Sequence, residues 1–534
     1  MGKTSTLRIN KITRKTRAIR RIFGVFLTIF ALSLAGCGDF AGNVRGRRYR
    51  QSLVNQFSDR FRSVNCNDFD LGNDIKNAIC GYVTVPEFHD RPDGRTIKIA
   101  VAIFPKTQTR ATSKPLVMIQ GGPGASTLSF FPVGFLPQNL LASLQEQRDI
   151  ILIEQRGTKY SQPSLFCPEV RQVALDVFGA KVRQDKQKVE QLNRDAFERC
   201  RDRLGGEGVD FSAYNGWESA ADMAAVFEAL GYDRVNFYGI SYGAEVAQLL
   251  MKQSPEKLRS VILDSVAPTS IYRDRYIPRS ASHALRQIFA SCLADETCNT
   301  NYPDLERVFF SLIDALNRNP ITLDIAVQGE EESLKIPFNG DTFLLYTYLN
   351  LYNNGFVSIL PKYIYEARDE QNYTWIAGTI AGSLKGSSLA KAAYSSYRCA
   401  QQDYIEQSRN TFIDTFFETP AFATVERAIQ RDNLYCELFA IAPLPQTIYT
   451  QVESEIPTLL MNGQYDPILP LPFSLVVSQT LDNAYVYNYP DISHGALISS
   501  HTCPVTMVAE FLDNPDRPPN EACIAQMETE FVDW

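Results

Sequence analysis

Histidine is scarce in this sequence, with four residues among 534, and these four are scattered along the chain. A Cys-x-x-Cys pair is absent as well. Because the common zinc sites place cysteine and histidine at close, regular spacings, these two absences argue against a metal centre. We therefore predict that the protein works without a metal or another cofactor.

Positive charge is also in short supply. Lysine and arginine number 53 against 60 aspartate and glutamate residues, and eight of the basic residues lie in the first 36 positions. Residues 37–534 therefore carry 45 basic and 60 acidic side chains, a net formal charge of −15. Such a chain is unsuited to binding nucleic acid, and the short basic run at 44–50 is interpreted as a tether near lipid headgroups.

The N-terminal apolar run, residues 22–36, is too short to predict a membrane span. A basic segment precedes it and small residues end it, the pattern of a secretory signal peptide over residues 1–36. The tetrad "LAGC" at 34–37 resembles the lipobox of bacterial lipoproteins, so we expect cleavage before Cys37, acylation of Cys37 and anchoring to a membrane. Gly38, where aspartate would retain the protein, favours the Gram-negative outer membrane by resemblance to sorting signals. An ordinary signal with a chance cysteine is the alternative.

Eleven cysteines fit an exported protein. If Cys37 carries lipid, ten remain, and an oxidising compartment favours their pairing. Ten cysteines allow too many connectivities to be deduced from spacing alone. Pairing neighbours in sequence gives one plausible set of disulfides: Cys66–Cys80, Cys167–Cys200, Cys292–Cys298, Cys399–Cys436 and Cys503–Cys523.

The pattern of apolar runs predicts an α/β protein. The central runs are apolar throughout, as in parallel strands covered on both faces, and helical patterns at 215–231 and 241–255 alternate with them, which favours a doubly wound sheet. The turn "RPDGR" at 91–95 predicts a hairpin between the first two strands. The predicted strands are 81–86, 96–104, 115–119, 149–153, 234–240, 259–266, 457–463 and 483–489.

Strand signals nearly vanish between residues 269 and 455, where the apolar spacing is mostly helical. A segment that leaves the sheet and returns to it is typical of a mainly helical cap. We therefore divide the chain into a linker with the lipidated cysteine (37–65), a core in two parts (66–268 and 456–534, the second ending in a disulfide-tied tail) and the cap (269–455).

The pentapeptide "GISYG" at 239–243 lies between a predicted strand and a predicted helix. This is the context of a nucleophile elbow, in which the glycines permit a sharp turn that exposes the serine. The helix N-terminus stabilises negative charge beside Ser241. We therefore predict that Ser241 is a nucleophile and that the N–H of Tyr242 contributes to an oxyanion hole.

A nucleophilic serine needs a base, and three histidines follow Ser241 in the sequence. His283 lies in the cap, and His501 falls in or near a helix, which favours a structural role. His494 lies in a loop after the last predicted strand, where it could reach the carboxyl edge of the sheet. We therefore predict that His494 is the base.

The predicted acid is Asp466, which follows the strand at 457–463 and precedes His494 in the sequence. The order serine, acid, histidine is that of α/β-hydrolases. Asp491 is a rival, but it lies only three residues before His494, a spacing that suits a turn better.

The run "GGPG" at 121–124 directly follows a predicted strand. No Lys-Ser or Lys-Thr pair follows it and the G-x-x-x-x-G spacing is missing, which excludes a phosphate-binding loop of that type. The run is placed to supply the second oxyanion N–H, and a bare turn is the alternative.

Together these motifs resemble the tripeptidyl aminopeptidase and proline iminopeptidase-like serine peptidases of the α/β-hydrolase fold. The matches cover most of residues 80–530 and comprise "GGPG" (121–124), "EQRGT" (154–158), "YGISYGAE" (238–245), "GQYDPILP" (463–470) and "SHG" (493–495). The resemblance implies release of short peptides or single residues from a chain N-terminus. It also implies Gly122 and Tyr242 as the oxyanion donors, and disulfides in the cap and the tail.

Two departures from the family pattern concern the substrate. The family has histidine before GGPG, where this chain has Gln120, and it carries an acid soon after the cap cysteine to hold the substrate amine. Here Gln401 and Gln402 precede Asp403 and Glu406. If neither acid supplies the charge that a desolvated amine needs, aminopeptidase specificity fails while ester hydrolysis could survive.

Three functions therefore compete: a lipid-anchored serine exopeptidase acting on peptides, an esterase or amidase of the same fold acting on small exogenous molecules, and a non-catalytic surface lipoprotein. The apparently complete triad counts against the third. The sequence leaves the oligomeric state open. Arg156, in "EQRGT", is interpreted as a structural link to the glycine loop rather than as a substrate clamp.

We predict that Gln120→His leaves turnover within about tenfold of the unsubstituted enzyme, because a side-chain amide can brace the loop as an uncharged imidazole does. Steady-state kinetics on one substrate check this. A loss of several orders of magnitude would show that residue 120 takes part in the chemistry.

Overall fold

The computed structural model divides the chain into two compact units, Met1–Gln56 and Phe57–Trp534. In the first unit, residues 46–56 form helix α1. The predicted signal peptide and Cys37 lie outside the described residues, so lipid anchoring stays a prediction. The residues described are 46–71, 78–108, 110–111, 113–131, 138–178, 186–327, 333–385, 389–401, 409–417, 419–429 and 435–533.

In the described part of the chain, nine strands of the second unit form one sheet in the order β1-β2-β3-β5-β4-β6-β7-β10-β11. Strands β1, β2 and β3 pair antiparallel, as do β3 and β5, and the remaining pairs are parallel. The strands are β1 (Phe61–Val64), β2 (Ile79–Pro86), β3 (Thr96–Phe104), β4 (Leu116–Ile119), β5 (Ile150–Ile153), β6 (Val235–Ile240), β7 (Leu258–Asp264), β10 (Thr458–Gly463) and β11 (Ala484–Tyr489).

The predicted α/β architecture is confirmed. Strands β4, β5 and β6 are buried along their whole length, as the uninterrupted apolar runs indicated. All eight predicted strands are present, and the first two form the predicted hairpin. Strand β1, which pairs with β2, was not predicted, because its four residues alternate too briefly to stand out from a polar segment.

Helices cover the sheet and form most of the segment between β7 and β10. Among the described residues, no helix is both long and apolar enough to cross a membrane. The helices of the second unit are α2 (Thr127–Phe130), α3 (Gln138–Gln147), α4 (Pro168–Phe178), α5 (Lys186–Gly206), α6 (Gly216–Ala229), α7 (Tyr242–Gln253), α8 (Ile277–Ala294), α9 (Glu296–Asn301), α10 (Leu305–Arg318), α11 (Gly340–Asn350), α12 (Leu360–Asp369), α13 (Thr374–Lys385), α14 (Lys391–Cys399), α15 (Thr411–Phe416), α16 (Ala423–Ala428), α17 (Cys436–Phe439), α18 (Leu471–Ser478) and α19 (Thr502–Asp513).

The segment between β7 and β10 also contains a separate antiparallel hairpin, β8 (Ile321–Ile325) and β9 (Leu334–Phe338). The helical spacing of the surrounding sequence did not predict these strands. They bury alternate residues, among them Ile325 and Phe338, in the apolar cluster of this segment. The same cluster includes Phe473 of α18, the helix that follows β10. The segment between β7 and β10 therefore shares an apolar core with a helix that packs beside the sheet.

Five disulfides tie loops and helices together. Each joins the sequence neighbours that the spacing suggested, with Cα–Cα separations between 5.1 and 5.6 Å. The pairs are Cys66–Cys80, Cys167–Cys200, Cys292–Cys298, Cys399–Cys436 and Cys503–Cys523.

Arg156 forms structural contacts, as predicted, but its partners differ from the predicted ones. Its guanidinium is fully buried and forms a bidentate pair with Asp222 of α6, at 2.8 and 2.7 Å. It also donates to the carbonyls of Glu87 and Ala213, at 2.6 and 2.7 Å. Arg156 therefore joins the loop after β5 to α6 and to the end of β2, whereas the prediction was a link to the glycine loop.

We predict that Asp222→Ala lowers the free energy of unfolding by about 3–5 kcal/mol, because it removes the bidentate partner of the buried Arg156 and leaves only Glu218, at 3.8 Å, to oppose its charge. Glu228→Ala is the matched control on the same helix. Its carboxylate pairs with Arg60 and Lys257 at 3.4 and 3.1 Å on the surface, so its loss should cost less than about 1 kcal/mol. Urea denaturation followed by circular dichroism measures both, and equal losses would contradict the prediction.

Candidate active site

Ser241 lies on the sharp turn between β6 and α7. Its backbone has φ +57° and ψ −122°, a strained conformation for a residue with a side chain. A Cβ on Gly239 would lie 2.3 Å from the Gly243 carbonyl oxygen, and one on Gly243 would lie 2.9 Å from the Ile119 carbonyl oxygen. Both glycines are therefore required for the turn, which presents Ser241 half-buried at the carboxyl edge of the sheet.

Asp466 and His494 form a buried hydrogen-bonded pair. Asp466 Oδ2 is 2.9 Å from His494 Nδ1, and the exposed fractions of the two residues are 0% and 7%. Asp466 Oδ1 accepts the N–H groups of Ile468 and Leu469, each at 2.9 Å. The carboxylate is thus held on both oxygens, and the predicted acid and base are in contact.

Two opposing effects act on the pKa of Asp466. Burial raises it, but the charge and hydrogen bond of His494 and the N–H groups of Leu469 and Ile468 outweigh burial and hold the pKa below its usual range. The carboxylate therefore stays ionised at neutral pH. The stability that it contributes is present above the pKa of an unfolded aspartate and is lost as the pH falls through the lowered pKa.

The other three histidines have partners of their own. His501 Nε2 is 2.9 Å from Asp491 Oδ2, so the rival acid pairs with the histidine that was predicted to be structural. His283 packs against aromatic rings of the segment between β7 and β10. His89 Nε2 lies 2.8 Å from Oδ1 of Asp222, the same aspartate that pairs with Arg156.

Asp264, at the end of β7, connects the serine turn to the histidine loop. Its backbone carbonyl accepts the N–H of Ser241 at 2.9 Å. Its two carboxylate oxygens accept the N–H groups of Ala496 and Leu497 at 2.7 and 2.9 Å, and the Tyr238 hydroxyl donates to the carboxylate at 2.8 Å. One buried residue therefore sets the separation of the two loops.

The neighbouring Ser265 and the segment between β7 and β10 hold the same loop from other sides. Ser265 donates its N–H to Met461 of β10 at 2.9 Å, and its Oγ accepts the N–H of Gly495 at 3.0 Å. Asn354 accepts the N–H of Ser493 at 2.7 Å and donates to the Gly495 carbonyl at 3.3 Å. The histidine loop is therefore fixed by backbone bonds at the residue before His494 and at the three residues after it.

The serine and the imidazole are brought to the same edge of the sheet by these contacts. A Cβ on Gly495 would lie 2.5 Å from Ile240 Cδ1, so the residue after His494 packs directly against the residue before Ser241. A Ser241–His494 hydrogen bond is not among those formed within the described part of the chain. Such bonds are often long without substrate and shorten in the substrate complex.

The glycine loop packs directly on the serine turn. A Cβ on Gly121 would lie 2.7 Å from Ser241 Cβ and 2.8 Å from the backbone nitrogen of Tyr242. Gly122, the next residue, has φ +112°, which favours glycine. Tyr242 begins α7, and an N–H in the first turn of a helix has no partner within the helix. The two predicted oxyanion donors therefore lie on adjacent segments beside the serine.

Gln120 braces this loop. Its side-chain Oε1 accepts the N–H of Gly121 at 2.7 Å, and its own N–H donates to Thr127 Oγ1 at 3.1 Å. Gln155 Nε2 donates to the Gln120 carbonyl at 2.6 Å. Gln155, rather than the neighbouring Arg156, is thus the residue of "EQRGT" that bonds to the glycine loop.

The predicted substrate-binding acids, Asp403 and Glu406, lie outside the described residues. The structure does describe Gln401, whose amide Nε2 donates to the buried Glu245 of α7 and whose Oε1 accepts from Arg398 Nη1 at 3.0 Å. Gln401 therefore links α14 to the helix of the nucleophile instead of presenting a charge.

Sequence reasoning missed Asp264 and Tyr352. Asp264 carried a usable signal, since it ends an apolar strand at the carboxyl edge just as Asp466 follows one. Tyr352 carried none. Its ring lies 5.2 Å from the His494 ring at an angle of 66°, a contact that depends on how the segment between β7 and β10 folds back over the sheet.

Comparison with known proteins finds curated relatives at low sequence identity. Serine protease Hip1 of Mycobacterium tuberculosis is 24% identical over 473 residues, which cover 83% of this chain and 87% of that protein. Tripeptidyl aminopeptidase of Streptomyces coelicolor is 29% identical over 197 residues, 36% of this chain and 35% of the relative. Carboxylesterase B of M. tuberculosis is 28% identical over 257 residues, 46% and 48% of the two chains.

Among solved structures, the esterase RhEst1 from a Rhodococcus species covers 85% of this chain and 99% of its own at 14% identity, with a TM-score of 0.37. A family model described as the alpha/beta hydrolase fold matches residues 114–500, a range that includes the serine turn, the buried acid and the histidine loop. The chain therefore belongs to the alpha/beta hydrolase fold family, and it is a serine hydrolase of that fold.

Proposed function

We propose that this hydrolase is a lipid-anchored serine exopeptidase that releases short N-terminal peptides or single residues through an acyl-enzyme on Ser241. The observation that carries the proposal is the Asp466–His494 pair, held by Asp264 beside the strained serine turn. The substrate class is supported by the names of two relatives, a serine protease and a tripeptidyl aminopeptidase.

The first half of the reaction uses the two sides of the imidazole. Because Asp466 accepts from Nδ1, the unprotonated Nε2 faces the reaction and takes the proton of Ser241 as its Oγ attacks the scissile carbonyl. Asp466 stays ionised and stabilises the imidazolium that forms. The N–H groups of Gly122 and Tyr242 bind the developing oxyanion, and each such donor contributes about 3 kcal/mol to lowering the barrier.

The second half reverses the proton transfer. His494 donates its proton to the leaving amine, the C–N bond breaks, and the acyl group stays on Ser241. A water molecule then gives a proton to His494 and attacks the acyl carbonyl. Collapse of the second tetrahedral intermediate releases the acid product and returns the proton to Ser241.

An esterase or amidase activity is the second candidate, and Gln401 favours it. Gln401 lies shortly after Cys399, where the family has an acid that binds the substrate amine. Its side-chain amide is already hydrogen-bonded to Glu245 and Arg398. A site that lacks an anion there would bind the ammonium group of a free N-terminus weakly, but Ser241 could still be acylated by an ester or an amide. The relative named carboxylesterase B supports this alternative.

A substrate panel on the full chain in detergent tests the proposal. Tripeptide and aminoacyl-proline anilides with free N-termini should be hydrolysed, N-acetylated versions should react at least about tenfold more slowly, and Ser241→Ala should abolish turnover and fluorophosphonate labelling. Equal rates on free and blocked peptides would eliminate an exopeptidase that reads the amine, and turnover of esters alone would establish the second candidate. Cys37→Ser should leave turnover unchanged and release the protein from membranes.

We predict that Asp264→Asn lowers kcat about 10- to 100-fold with little change in KM, because an amide offers one acceptor oxygen where Ala496 and Leu497 need two, and a small misplacement of a catalytic group is costly. Tyr238→Phe is the matched control. It removes the hydroxyl donor of the same carboxylate but leaves both N–H bonds, so kcat should stay within about threefold.

Steady-state kinetics and thermal melting of both variants check this prediction. A lower melting temperature with unchanged kcat in Asp264→Asn would show that this residue only stabilises the fold.

A further inference from the structure

Four charged side chains meet where α7, the loop after β7 and α14 come together. Glu245 of α7 and Arg398 of α14 are 6% and 1% exposed, and Arg273 of the loop after β7 is 7% exposed. The side chain of Asp274, next to Arg273, is 10% exposed. Charges buried this far from water are retained only where each has a partner, or where a ligand supplies one.

Two of the four groups pair with each other, and a third is bonded to a neutral side chain. Arg398 Nη2 lies 2.8 Å from Asp274 Oδ2, and Arg398 Nη1 donates to Gln401 Oε1 at 3.0 Å. The other end of the Gln401 side chain donates to Glu245. Arg398 and Asp274 therefore form a close ion pair, and Glu245 is held by a neutral amide.

Arg273 has no such partner at hydrogen-bond distance. Its Nε lies 3.6 Å from Asp274 Oδ1, beyond a good hydrogen bond, and its Nη2 donates to the Gly122 carbonyl at 3.1 Å. Burial raises the pKa of Glu245, and the charges of Arg273 and Arg398 and the hydrogen bond from Gln401 act against that rise. Of the two arginines in the group, Arg273 thus has the longer contact with a carboxylate.

The position of Arg273 relates this charge to the reaction. Its guanidinium donates to the carbonyl of Gly122, the residue whose N–H is the proposed oxyanion donor. Burial raises the pKa of Tyr352, whose ring packs on His494, and a hydrogen bond with Tyr348 and the charge of Arg273 act against that rise. Arg273 therefore borders the site at the glycine loop.

We propose that Arg273 binds a carboxylate on the acyl part of the substrate, so that the enzyme prefers an acidic residue at the position that supplies the scissile carbonyl. A guanidinium matches a carboxylate with two parallel N–H···O bonds, and such charge-assisted pairs are strong where water is excluded. The choice of peptide substrates rests on the proposed function. The role of Arg273 does not depend on it, because Arg273 would bind the carboxylate of an ester substrate in the same way.

Two matched substrate pairs test the inference on the full chain. The first is Ala-Ala-Glu and Ala-Ala-Gln p-nitroanilide, and the second is mono-4-nitrophenyl succinate and its methyl ester. We expect the unsubstituted enzyme to favour the carboxylate member of a pair in kcat/KM by at least about tenfold. Arg273→Gln should reduce that ratio to about one, and Arg273→Lys should retain part of it because it keeps the charge.

Arg279→Gln is the control, since Arg279 pairs with Asp414 on the surface at 3.3 Å and its side chain is 41% exposed. Its substrate ratio should equal that of the unsubstituted enzyme. An unsubstituted enzyme that hydrolyses both members of a pair equally overturns the inference, whether or not Arg273→Gln folds, and so does an unchanged ratio in that variant. Turnover of the ester pair without the peptide pair would refute the exopeptidase, while the ester ratio would still decide the role of Arg273.

Discussion

The geometry of the site depends on the hydrogen bonds that Asp264 accepts from the serine turn and from the histidine loop. The nucleophile turn, the acid loop and the histidine loop lie on three different crossovers of the sheet, and nothing in a single crossover determines the distance to the next. Asp264 ends the strand between them. Its carbonyl holds the N–H of Ser241, and its carboxylate holds the loop that carries His494.

Two buried acids near the same imidazole illustrate how environment separates roles. Asp466 bonds directly to His494 and has its pKa held below the usual range. Burial raises the pKa of Asp264 even though the N–H groups of Leu497 and Ala496, the Tyr238 hydroxyl and the charge of His494 act against it. Asp466 is thus suited to stabilise a cation, whereas Asp264 serves as an anchor for backbone N–H groups.

The buried arginines separate in a similar way. Arg156 and Arg398 each have an aspartate partner within 2.8 Å and join elements that are distant in the chain. Arg273 bonds to the oxyanion loop and lacks such a partner. The aspartate nearest to Arg273 lies 3.6 Å away, so among these three arginines the one beside the site has the weakest contact with a carboxylate and is the one suited to bind a ligand.

The sequence by itself determined the elements whose signals are local. Uninterrupted apolar runs specified the central strands, glycine spacing specified the serine turn, and a polar residue after a strand indicated Asp466, because each depends on backbone sterics or on burial within a few residues. Only the tertiary structure decided that Arg156 pairs with Asp222, that Asp264 bridges two loops, that β1 joins the sheet and that Tyr352 packs on His494. These contacts join residues 16 to 233 positions apart, and their energies arise from the shared burial of both partners, which no local pattern encodes.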